Sequence, residues 1–304
     1  MRTQKRFGVP ALAGKRRFNH RWTRINTDKE AQTSDPLGWQ VSSSRGGRVR
    51  ITRTLVALAL CGSAIVQIPA QQQIEVQRQT TLIDDRHSEQ GFQSLFNGKD
   101  LTGWDGNPKL WSVKDGAITG QTTAENPAKG NTFLIWTNGT PGDFEFRCSF
   151  KVVPGDDKGF ANSGVQYRSR IFDPANWVVG GYQADMEAGP NYTGILYEER
   201  LRGIMALRGE KVVWTKDDKK EVVGSVGKAA DIEASLKKGD WNDYVIIAKG
   251  NHLQQFINGK QTVDVTDECE AKRAMSGLIA LQLHAGPPMM AQFKNIRIKL
   301  LNSP

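Results

Sequence analysis

The segment Gly181-Tyr-Gln-Ala-Asp-Met-Glu187 places an amide and two carboxyl groups at every second position. Extended as a β-strand, it sends Gln183, Asp185 and Glu187 to one face and Tyr182, Ala184 and Met186 to the other. Carboxylates at i and i+2 stand roughly 6.5–7 Å apart at the backbone. That spacing suits acid/base work or the binding of a polyol. Taken alone, the segment is explained as well by a solvated sheet face.

Two further segments alternate in the same way. In Asn162–Arg170, Val165 and Tyr167 share one face, and Gln166, Arg168 and Arg170 share the other. In Gly277–His284, Leu281 and Leu283 oppose Gln282 and His284. Joined in one sheet, these strands make a polar wall whose charges shift one another's pKa values. Asp185, Glu187, His284 and Arg168 are therefore the expected catalytic groups. Gln166, Gln183 and Gln282 are expected to bind substrate. Arg168 could instead be a structural partner of Asp185, and His284 an ordinary half-buried histidine. The Gly/Pro-rich loop Ala285–Pro288 after His284 favours a site, since loops at strand ends often build one. The charge-dense run Tyr197–Gly203 adds Tyr197 and Arg202 to the binding set, with Glu199 read as solvated loop. Trp104, Trp136 and Trp177 offer ring faces for sugar C–H surfaces, with a core position as the alternative for each. A divalent metal on Asp185, Glu187 and His284 would have suitable ligand types. That spacing matches no metal motif, and no cofactor is assigned.

The elements that must position these groups are short. From Gly91 onward, apolar or alternating runs are broken by Gly, Asn, Asp and Pro. Asp115-Gly116, Asn138-Gly139 and Asn258-Gly259 are turn signals, and the pattern predicts an all-β sandwich. Only Asp231–Lys238 reads as a helix, capped by Asp231.

Charge separates tail from domain. Thirteen of the 41 Lys+Arg and three of the 32 Asp+Glu fall in residues 1–53, leaving 28 basic against 29 acidic residues beyond. The near-neutral remainder lacks the basic stripe of a nucleic-acid surface. Arg45, Arg48, Arg50 and Arg53 precede the apolar run Leu55–Val66, which is short for a membrane span and matches a signal-peptide core. The expected organisation is a basic extension over 1–44, a signal peptide over 45–70, a linker over 71–90 and a sandwich over 91–302. The 1–44 extension reads as disordered or as an early start. Export to the periplasm or outside, with no lasting membrane anchor, follows from that organisation. Leu60 before Cys61 disfavours lipidation. Cys148 and Cys269 could pair in such a compartment.

The stretch Gly91-Phe-Gln-Ser-Leu-Phe-Asn-Gly-Lys-Asp-Leu-Thr-Gly-Trp104 resembles the opening signature of the 3-keto-disaccharide hydrolase domain family. The resemblance continues through Trp111–Gly120, Asn162–Arg168, Thr193–Tyr197, Phe256–Lys260 and Phe293–Lys299. It implies a concanavalin A-like jelly-roll β-sandwich of two antiparallel sheets. It also implies cleavage of glycosides oxidised at C3, by C2 deprotonation, elimination and hydration. Arg168 and His284 are the best-matched polar residues. The middle strand departs from the family: Gln183 stands for its usual Glu and Asp185 for its usual Gln, and Glu187 is extra. Either Asp185 or Glu187 is then the base, or the domain is a glycan-binding module without this chemistry.

Mass spectrometry of the exported protein should find an N-terminus at Gln71. An N-terminus upstream of residue 60 would overturn the signal-peptide assignment.

Overall fold

The computed structural model describes residues 89–301. The 1–44 extension, the signal segment and nearly all of the linker lie outside the described residues. Alternating runs fold here as strands, as their period requires. One sheet holds β1 (Gln93–Ser94), β3 (Trp111–Lys114), β4 (Ala117–Thr122), β6 (Phe144–Pro154), β11 (Glu210–Trp214), β12 (Lys220–Ser225), β13 (Asn242–Lys249), β14 (His252–Ile257), β15 (Lys260–Asp267) and β17 (Met289–Leu300). Its order is β12-β11-β15-β14-β13-β6-β17-β4-β3, with β1 on β17. The second sheet holds β2 (Trp104–Asp105), β5 (Thr132–Trp136), β7 (Asn162–Asp173), β8 (Val178–Glu187), β9 (Leu196–Glu199), β10 (Gly203–Ala206) and β16 (Leu278–Leu283). Its order is β10-β9-β8-β7-β16-β5-β2. Pairing is antiparallel except between β11 and β15.

The turn chemistry explains two hairpins. Asp115 and Gly116 (φ 51° and 69°) join β3 to β4, and Asn258 and Gly259 (φ 49° and 81°) join β14 to β15. Tight two-residue turns need positive φ at both centres. The helix α1 spans Ala229–Glu233, beginning two residues before and ending five residues before the expected Asp231–Lys238. Lys228 is its N-cap and makes no side-chain bond. Asp231 lies in the first turn, where a carboxylate suits the helix dipole. No helix among the described residues is long and apolar enough to cross a membrane.

Between the sheets, Val165, Tyr167, Tyr182, Ala184, Met186, Leu281 and Leu283 meet Phe144, Phe146, Tyr244 and Phe293. These are the inward halves of the alternating strands, and burying them is the main driving force for the sandwich. Trp104 and Trp136 also belong to this core. They pair across β2 and β5 at inward positions, and Trp104 Nε1 donates to the Leu95 carbonyl at 2.8 Å. Neither can stack on a ligand, which corrects that expectation. Cys148 and Cys269, which the sequence left free to pair or not, are buried free thiols.

Arg168 is the largest departure from simple alternation. Between the pairs Tyr167↔Tyr182 and Arg170↔Gly180, β7 spends two residues where β8 spends one. This is a bulge, and Arg168 takes it up at φ 45°. The Arg168 side chain therefore leaves the polar face. It donates to the carbonyls of Gly142 (2.9 Å), Gly250 (2.6 Å) and Ala274 (3.2 Å) and pairs with Asp143 at 3.0 Å. Gly250 lies between β13 and β14, so the guanidinium ties one sheet to the other. Ser169 recovers the outward parity. Gly181 opposite must lack a side chain, because its Cβ would sit 2.5 Å from Ser169 Oγ.

Arg168→Ala would strand these acceptors and a carboxylate inside the protein. A loss of about 3–5 kcal/mol is expected, read as a lowered urea midpoint. An unchanged midpoint would remove the clamp.

Candidate active site

Parity and register assemble the outer face of the second sheet. Gly164 pairs with Asp185 and Gln166 with Gln183 across β7 and β8. Gln183 pairs with Tyr197 and Gly181 with Glu199 across β8 and β9. Gln166 also pairs with Ala280 on β16, two residues before Gln282. The side chains converge on a cleft of about 300 Å³ lined by Gln183, Asp185, Tyr197, Glu199, Gln282 and His284. Asn131, Asn162, Tyr192, Ile195 and Ile204 complete its wall.

A chain of amides supports the cleft. Ser169 Oγ donates to Gln166 Oε1 at 2.8 Å, and Gln166 Nε2 donates to Gln183 Oε1 at 2.6 Å. Gln282 Nε2 donates to the same oxygen at 2.9 Å and to Glu199 Oε2 at 3.5 Å. Asn131 Nδ2 reaches the other Glu199 oxygen at 3.5 Å. Gln282 Oε1 is enclosed and has no partner among the described residues.

The carboxyls are tuned by burial. Desolvation raises Asp185 well above the ordinary aspartate range, and the charges of Glu187 and Glu199 add to it. The Met186 N–H at 2.8 Å and Asn162 Nδ2 at 3.4 Å oppose this without reversing it. Glu199 is also raised, chiefly by burial, against the pull of Asn131, Arg200, His284 and Gln282. Burial raises Tyr197 too, helped by the Glu199 and Asp185 charges. His284 Nδ1 lies 2.5 Å from the Ala285 carbonyl. A carbonyl can only accept, so the proton sits on Nδ1, and in the neutral ring Nε2 is the acceptor.

Asp185, His284, Gln183, Gln282 and Tyr197 therefore come together. Gln166 sits beneath them, fully buried, and acts through Gln183. Four expected residues lie elsewhere besides Arg168. Trp104 and Trp136 are in the core. Glu187 Oε1 accepts from the Asn191 and Tyr192 N–H groups at 2.5 and 2.6 Å, so the 188–193 loop captures it. Asp185, Glu187 and His284 consequently form no metal set, and no His/Cys/Asp/Glu cluster of that kind occurs among the described residues. Arg202 is locked by Glu198 at 2.5 Å and Asp267 at 2.6 Å and stacks over Trp214. Glu199 was the residue missed. Its signal was the two-residue spacing from Tyr197, hidden because the run reads as a charged loop and folds as β9.

Residues 91–299 match the 3-keto-alpha-glucoside-1,2-lyase-like domain. The chain belongs to this family. A "putative glycosyl hydrolase" from Parabacteroides distasonis ATCC 8503 is 21% identical, covering 70% of this chain and 94% of that one at a TM-score of 0.45. The carbohydrate-binding module CBM66 from Bacillus subtilis is 14% identical, with coverage of 65% and 95% and a TM-score of 0.42. A Bacillus subtilis protein with a galectin-like fold is 11% identical, with coverage of 67% and 92% and a TM-score of 0.43. A search of curated proteins returns no match. In this lyase-like domain, the polar cleft on the second sheet holds two raised carboxyls, a tautomer-fixed imidazole and a phenol.

Raised carboxyls carry a stability signature. Asp185 contributes fully below its unfolded value near 3.8, and that contribution is lost as pH rises through the higher native value. Asp185→Asn should raise the melting temperature at about pH 7 and leave it nearly unchanged at about pH 3. Equal effects at both pH values in thermal scans would contradict this.

Proposed function

We propose that the protein cleaves 3-keto-glycosides by elimination and hydration. The observation that carries this reading is the pair of burial-raised carboxyls, Asp185 and Glu199, facing one cleft with His284. Glu199 takes the C2 proton, which the C3 ketone acidifies. The C2–H electrons become the C1=C2 double bond, and the C1–O pair leaves with the departing oxygen. Asp185, held protonated by burial, gives that oxygen its proton. Water then adds across the double bond. Its hydroxyl goes to C1 while Asp185 takes its proton, and Glu199 returns a proton to C2. Tyr197 and the Gln183 amide donate to the C3 oxygen as enolate charge develops. His284 Nε2 accepts a sugar hydroxyl. Arg168 and Glu187 have no direct part. Export before action, to the periplasm or the medium, belongs to the same proposal and rests on the signal-like segment alone.

A second reading is a glycan-binding domain without turnover. The amides of Asn131, Asn162 and Gln183 on the cleft wall favour it, because such groups pair with sugar hydroxyls whether or not a bond breaks.

Turnover of 3-keto-trehalose and 3-keto-lactose tests the first reading. Glu199→Gln should lower kcat by roughly 10²–10⁴-fold, the usual worth of a positioned base. The wild-type rate should rise as Glu199 ionises and fall as Asp185 does, and Asp185→Asn should abolish the alkaline fall. Folded wild type that binds glycans and turns over none of the panel transfers the case to the second reading.

A further inference from the structure

Asn131 stands in two places at once. It lines the cleft beside Glu199, and it also lines a separate groove of about 720 Å³ running past Trp177. The cleft alone lies at the small end of the range of about 300–1,000 Å³ found for ligand pockets. The groove adds more than twice its volume on the other side of one asparagine.

The groove is built of amides held at one end. Asn107 Oδ1 accepts from the Lys109 N–H at 3.0 Å. Asn126 Nδ2 donates to the Lys109 carbonyl at 2.7 Å, and Asn176 Nδ2 to Asp173 Oδ2 at 2.7 Å. Each amide therefore keeps its other end for a ligand, and side-chain motion no longer has to be frozen on binding. Lys129 lies exposed on the rim without a carboxylate partner among the described residues.

Trp177 supplies the apolar surface. It adopts φ 49° and ψ 48°, a left-handed conformation that is costly for a bulky residue. Three bonds hold it there. Its N–H donates to the Pro174 carbonyl at 3.4 Å, its carbonyl accepts from Phe133 at 3.0 Å, and its Nε1 donates to Asp105 at 3.0 Å. The indole packs on Phe133, Ile135, Val179 and Ala280 and remains half-buried at the groove. Backbone strain kept by surrounding contacts clusters at ligand sites. Amides with spare donors and acceptors around an indole match the hydroxyls and C–H surface of a sugar ring.

We propose that this groove is a subsite for additional sugar units, so that the substrate is an oligosaccharide extending beyond the ring held at Asp185 and Glu199. The proposal rests on the cleft being the glycoside site. Two measurements separate its failure from the failure of that reading. Calorimetry with unoxidised tri- and tetrasaccharides needs no turnover. Trp177→Asn, which keeps a residue tolerant of this conformation, should weaken their binding about 10-fold, which is about 1.4 kcal/mol. Lys129→Ala, on the exposed rim, guards against a folding artefact and should weaken it about 3-fold. Where keto-substrates turn over, Trp177→Asn should lower kcat/KM for a 3-keto-trisaccharide about 10-fold and for a 3-keto-disaccharide less than 2-fold. Equal losses on both substrates, or oligosaccharide binding unaffected by both groove variants, would overturn the subsite.

Discussion

Everything at the cleft depends on one row of buried hydrogen bonds. Ser169, Gln166, Gln183 and Gln282 hand donors along the outer face of the second sheet to Glu199. Gln166 is fully buried with both ends of its amide paired, and the equally buried Gln282 is paired through its nitrogen. Once Ser169 fixes the Gln166 oxygen, the orientation of each next amide follows. Gln183 Oε1 is consumed twice, which turns its nitrogen toward the cleft. The same row leaves Glu199 with amide donors at 3.5 Å and, among the described residues, no ion pair, so burial outweighs them and its carboxyl rises.

The row itself depends on the bulge in β7. Without an extra residue after Tyr167, Arg168 would point outward beside Gln166. A guanidinium there would pair with Glu199 or Asp185 and hold them ionised. The bulge sends the charge inward to Asp143 and places a small hydroxyl in the row instead. Gly181 makes this possible, since any side chain there would collide with Ser169.

Much of this was legible in the sequence. Period-two alternation placed Gln183, Asp185, Gln282 and His284 on one face, and Asn258-Gly259 marked its hairpin. The family resemblance covered the sandwich from Gly91 to Lys299. What could not be read has local physical causes. A bulge breaks parity without changing composition, so Arg168 looked like a wall residue. Glu187 obeys parity, yet the following loop offers two backbone N–H groups and takes its carboxylate. Trp104 and Trp136 lie on strands whose inward face only pairing reveals. β9 is four residues long and half charged, and nothing in its composition separates it from a loop.

Glu198 and Glu199 show how the fold divides one chemistry into two uses. They are adjacent on β9 and so point to opposite faces. Glu198 turns between the sheets and meets Arg202 at 2.5 Å, with Asp267 on the same guanidinium. Buried charge there is neutralised by a partner, and the cluster joins β9 to the far end of β15. Glu199 turns outward to amides and a histidine, and among the described residues no guanidinium pairs with it, the Arg200 charge acting only from a distance. A carboxyl buried without a cation holds its proton more tightly, which makes it the stronger base once ionised. The two roles need the same residue type and differ only in which face supplies an arginine. The pairing of Arg202 with Glu198, on the inner face, is therefore part of what leaves Glu199 available for chemistry on the outer one.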